Sequence, residues 1–155
     1  MLLGIISDTH GLLRPEALDA LRGSDLILHA GDIGGAEILD RLRALAPVFA
    51  VRGNNDTAPW CRRLPLRETI EVDGSLIYLL HDIYDLDVDP KFAEISAVIT
   101  GHTHRPRDYW EEDVLYCNPG SAGPRRFDLP VTLARLDLRR RPWRPEFVHV
   151  APTGS

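Results

Sequence analysis

At 155 residues, with 44% hydrophobic and 26% charged side chains, the chain suits one domain with its own core and is too apolar for disorder. A net charge of -5 gives no general attraction for polyanions, so no general nucleic-acid binding is expected, any such contact would have to be local, and small substrates are expected. No apolar run approaches the ~18–20 residues of a membrane span. The Met1–Ile6 stretch lacks a basic flank and meets Asp8 too soon for a signal peptide. Cys61 and Cys117 lie far apart, with neither zinc-ribbon nor redox spacing, and read as structural thiols. A cytoplasmic protein is expected, with residues 1–150 as one domain and 151–155 as a short tail.

In chain order, Leu2–Ser7 reads as a buried strand. Pro15–Arg22 reads as a helix with Pro in its first turn and Gly23 past its end. Asp25–His29 is a second strand, Ala36–Leu45 an amphipathic helix stopped by Pro47, and Val48–Val51 a third strand. This alternation predicts parallel βαβ units. Arg67–Val72 and Leu76–Leu80 flank Asp73-Gly74, a strong hairpin signal, so a more antiparallel sheet begins there. Pro90–Ile95 suggests a short helix, Ala97–Thr100 and Val114–Cys117 strands, and Val131–Leu138 with Glu146–Val150 a closing pair.

Five groups of polar residues follow the strand-like runs: Asp8-x-His10, Gly31-Asp32, Gly53-Asn54-Asn55-Asp56, His81 and Gly101-His102-x-His104. Open α/β sheets place their sites just beyond strand C-termini. Imidazoles, carboxylates and an amide, with no thiolate, suit hard or borderline divalent cations. Seven such ligands are too many for one mononuclear site, so two adjacent metals are expected. The only asparagines are Asn54, Asn55 and Asn118, and Gln is absent, which makes those three loops stand out.

Together these groups closely resemble the calcineurin-like metallophosphoesterases. The short chain with Asn118-Pro119-Gly120-Ser121 resembles their small YfcE-like bacterial and archaeal branch, over roughly residues 2 to 137. The resemblance implies an α/β fold, a four-layer α-β-β-α sandwich of two mixed sheets with flanking helices. It implies that Asp8, His10, Asp32 and His104 hold one divalent ion, while Asp32 bridges to a second held also by Asn54, His81 and His102. Manganese is the first expectation, with nickel, cobalt, zinc or iron(II) as alternatives. The implied activity is hydrolysis of small phosphodiesters by a metal-bridging hydroxide. Relatives often self-associate, which leaves room for a homo-oligomer.

Two positions depart from the pattern. Asn55 stands where many relatives have His; an amide can donate to a phosphoryl oxygen but cannot act as a general acid near neutral pH, so its expected role is substrate contact in catalysis. Asp82 follows His81 where Gly is expected. Arg125 is a candidate phosphate contact, and Trp60 a candidate wall of the cleft. His29 is expected to pack behind the ligands, His149 to lie on the last strand, and Arg139–Arg144 to form a solvated hairpin. Two competing readings are a non-catalytic metal-binding scaffold of this fold and a metal-dependent carboxyl ester or amide hydrolase.

Overall fold

The computed structural model describes residues 1–151, so the expected tail lies outside the described residues from residue 152 onward. Strands β1 (Leu2–Ile6), β2 (Leu26–His29) and β3 (Val48–Ala50) are parallel, with α1 (Pro15–Leu21) and α2 (Ala36–Arg43) in the crossovers. β1 and β2 are covered on both faces, which is why they read as continuous apolar runs. α2 buries Ile38, Leu39 and Leu42, while Arg41 and Arg43 in its last turn favour the negative end of the helix. Two later strands extend this sheet: β9 (Thr132–Asp137) pairs antiparallel with β1, and β10 (Glu146–His149) pairs antiparallel with β9. The first sheet therefore runs β10-β9-β1-β2-β3.

The second sheet contains β4 (Arg67–Val72), β5 (Ser75–Leu80), β6 (Ile95–Ile99), β7 (Pro106–Glu111) and β8 (Val114–Pro119), in the order β4-β5-β6-β8-β7. Asp73 (φ 51°) and Gly74 (φ 80°) make the expected tight hairpin between β4 and β5. Between the sheets lies a core that includes Leu3, Ile5, Leu28, Ile77, Leu79, Ile99 and Leu136. Alternation along β1 sends Ile6 to the other face, where Leu21, Ile27, Ile38 and Leu42 pack under the helices.

The two mixed sheets of the expected sandwich are present, but the layer outside the second sheet is thin. Ile83–Asp85 is one 3₁₀ turn, and residues 90–94 are hydrogen-bonded turns rather than the helix expected over Pro90–Ile95. Glu94 is left-handed (φ 60°) and Ile95 is drawn into β6, so too few residues remain to propagate a helix. Sequence reasoning missed β7 altogether. It is a mostly exposed edge strand, and Glu112 and Asp113 (φ 50° and 63°) make its turn without glycine, so neither burial pattern nor turn composition announces it.

Candidate metal centre

The loops that follow β1, β2, β3, β5 and β6 meet at one edge of the sandwich. Asp8 N–H donates to Gly31 O (3.0 Å) and His10 N–H to Asp32 O (2.9 Å), which stitches the first two loops together. The chain turns inward through left-handed residues: Asp8, His10, Asp32, His102 and His104 all have φ between 45° and 72°. Such conformations are uncommon without glycine and cluster at functional sites. Space is equally tight at Gly53, where a Cβ would collide with the Asp32 carboxylate. Asp56, which the sequence supplied without a role, holds the loops in place. Its buried carboxylate accepts from the N–H groups of Asp32, Ile33 and Gly53 at 2.9–3.0 Å.

All seven expected ligands are brought together. In one half, Asp8 Oδ1 lies 3.3 Å from His104 Nε2 and 3.7 Å from His10 Nε2, and those two imidazole nitrogens are 3.4 Å apart. In the other, His102 Nδ1 lies 3.3 Å from His81 Nε2 and 3.2 Å from Asn54 Oδ1. Asp32 stands between the halves, its Oδ2 3.7 Å from His10 Nε2 and 3.3 Å from His81 Nε2.

The surroundings aim these atoms. Ser7 Oγ donates to Asp8 Oδ2 (2.6 Å), as does the N–H of His102 (3.0 Å), leaving Asp8 Oδ1 buried with no hydrogen-bond partner. His81 Nδ1 donates to Ala30 O (2.6 Å), which turns Nε2 toward the cluster. His29 is fully buried behind the ligands, as expected. Its Nδ1 accepts from Gly31 N–H, which assigns the proton to Nε2, facing Thr9 Oγ1 at 3.0 Å; Thr9 in turn donates to Ile33 O. Burial holds this imidazole down, at a pKa of about 4.

Burial opposes ionisation of Asp8, but the His10 and His104 imidazoles outweigh it and hold its carboxyl far below the ordinary range. Asp32 is lowered against burial by His81 and the Asn55 N–H. Burial opposes the His81 cation too, yet Asp32 and Asp8 raise its pKa to about 8. A buried ionised carboxylate with an unpartnered oxygen among imidazole nitrogens is a poor arrangement for protein alone and a fitting one for a cation. Asp8 with His10 and His104, and Asp8 with Asp32 and His81, are groups whose ligand atoms are close enough to hold a metal ion.

Other expected residues take different places. Asn55 lies on Asp32: its backbone N–H donates to Oδ1 (2.9 Å) and its side-chain Nδ2 to Oδ2 (3.0 Å). Arg125 donates from Nη1 to Leu129 O (3.1 Å), within its own loop. Trp60, in the 3₁₀ turn Pro59–Arg63, packs half-buried on the helix-side core. Asp82 accepts from Tyr84 N–H and places Oδ2 3.6 Å from His102 Nε2. In the Asn118–Ser121 loop, Asn118 Nδ2 donates to Gly101 O and Thr103 Oγ1, and Ser121 Oγ donates to Asp8 O. That loop braces two ligand loops at once.

The model of the calcineurin-like phosphoesterase superfamily domain matches residues 1–141. The chain belongs to that superfamily. A probable metallophosphoesterase of Methanothermobacter thermautotrophicus is 39% identical over 150 residues, covering 88% of this chain and 87% of the relative. Phosphodiesterase YfcE of Escherichia coli is 26% identical, with 88% of each chain covered. The solved structure of an archaeal phosphodiesterase superposes with a TM-score of 0.80 at 25% identity, over 96% of this chain and 100% of that one. Phosphoesterases of this superfamily use divalent metals, and the Asp/His groups described above can hold them. Among the described residues no helix is long and apolar enough to cross a membrane.

Proposed function

We propose that the protein is a dinuclear metal-dependent phosphodiesterase acting on small phosphodiesters. The observation that carries this reading is Asp8 Oδ1, buried and unpartnered, with the Nε2 atoms of His104, His10 and His81 at 3.3, 3.7 and 3.9 Å. In this reading Asp8, His10, Asp32 and His104 hold one ion, and Asp32, Asn54, His81 and His102 the other, with manganese the first candidate. Divalent ions held by these residues would supply Lewis-acid polarisation of the ester and a bound water whose pKa falls into the neutral range. Asp8 and Asp32 offset only part of the ions' charge, so the site keeps a positive balance suited to a monoanionic diester. Asn55 holds the Asp32 carboxylate in place through two donors and, on rotating its amide, would contact a phosphoryl oxygen. It donates no proton to a leaving alkoxide.

The test is a panel of phosphate mono-, di- and triesters offered to metal-stripped protein reloaded singly with manganese, nickel, cobalt, zinc or magnesium. Diester hydrolysis appearing only on reloading, best with manganese, is the expected result. Two ions bound with no turnover of any ester would make the protein a metal-binding scaffold instead.

A further inference from the structure

On the outer face of the second sheet an open groove of about 140 Å³ starts at the loop of metal ligands. Ile83, Thr103, Arg105, Arg107, Tyr109 and Tyr116 line it, and no acidic side chain does. Thr103 stands between His102 and His104, and Asn118 ties the Thr103 hydroxyl to the Gly101 carbonyl, so the groove wall and the ligand loop are one piece. Down the groove, the Arg107 guanidinium sits 4.7 Å over the Tyr109 ring, which stacks on Tyr116 at 4.9 Å and 2°. Pairing of an edge strand accounts for the two tyrosines. It does not account for two guanidiniums on a groove whose lining carries no carboxylate, the acids Glu111, Glu112 and Asp89 lying around Tyr116 outside that lining, in a chain of net charge -5.

We propose that this groove is a second anion subsite, selecting phosphodiesters in which one arm is a nucleoside carrying a further phosphate. The inference rests on the phosphodiesterase reading of the metal centre. Arg105 and Arg107 supply planar donor forks that fit a phosphate. Ile83 and the edges of Tyr109 and Tyr116 offer a ring-sized apolar surface, and Thr103 a polar rim. The negative net charge favours a small nucleotide over a long polyanion.

The experiment compares three substrates of the manganese-loaded protein: bis-p-nitrophenyl phosphate, the p-nitrophenyl ester of thymidine 5′-phosphate, and the same ester with a 3′-phosphate. For the parent, the added phosphate should lower KM about tenfold. In the Arg105→Ala/Arg107→Ala double variant that advantage should vanish with kcat unchanged, while hydrolysis of bis-p-nitrophenyl phosphate stays at the parent rate. Calorimetric titration of metal-stripped protein with thymidine 3′,5′-bisphosphate should show saturable binding, weakened about tenfold in the double variant. A 3′-phosphate without effect on the parent's KM, or with the same effect in both proteins, would overturn the subsite. Loss of turnover on all three substrates by the parent would instead overturn the phosphodiesterase reading, and calorimetry would still decide the groove.

Discussion

Around Asp8 and His104 the metal centre is buried, at 0% and 3% exposure, whereas His102 is 41% exposed and Asn54 lies at the surface. Burial of Asp8 costs desolvation that its imidazole neighbours offset and that a bound cation would offset further, and its carboxylate is fixed by hydrogen bonds from Ser7 and the His102 N–H. The other half opens to solvent at His102 and Asn54, while its third ligand candidate, His81, is buried and held by Ala30 O. In the proposed two-ion reading the half around Asp8 and His104 would serve retention and the half that opens at His102 and Asn54 would serve access, with Asp32 between them.

Removing the joint tests the comparison most severely. Asp32→Ala should lower kcat/KM by more than the ~10–100-fold cost of losing an outer partner of a metal ligand, and elemental analysis should find at least one ion missing. Full metal content with full activity would mean that the halves do not share Asp32. The next largest effect concerns the open half. With Asn55 unable to donate a proton, the parent's rate should fall steeply as leaving-group pKa rises, and Asn55→His should restore up to about 10²–10⁴-fold on alkyl diesters but little on nitrophenyl ones. Identical slopes for the two proteins would show that another group supplies the proton.

Metal titration sharpens the contrast between the halves directly. The metal-stripped parent should take up manganese in a tight and a weak step; His102→Ala should remove the weak step and His104→Ala the tight one. The reverse assignment would invert the comparison. The smallest expected effect lies behind the ligands, at His29. Its folded pKa of about 4 is below the 6.5 of an exposed imidazole, so the unfolded chain binds the extra proton between those values. Its contribution to stability is thus present above pH 6.5 and lost as the pH falls toward 4, a change of up to roughly 3 kcal/mol. Denaturant unfolding of metal-stripped His29→Gln should be flatter across that range than the parent's, with metal uptake retained. An equal loss of metal in this variant would place His29 among the ligands.

What could be read along the chain was whatever is encoded locally. The parallel strands show as apolar runs, α2 as a 3.6-residue period, the Asp73-Gly74 turn as composition, and the ligands as polar groups just after strand ends. Each signal spans only a few neighbouring residues, so the sequence by itself determined which side chains are available and which elements carry them. The rest depends on partners far apart in the chain. The N–H of His102 reaches Asp8 across 94 positions, and Asp56 clamps the Asp32 loop across 24, contacts with no local pattern to announce them. Asn55 illustrates the limit: its type restricts what chemistry it can do, but only the packed loops put its amide on Asp32. Burial of Asp8, and with it the need for a cation, was likewise decided by the tertiary structure, because desolvation belongs to the assembled site and to none of its residues alone.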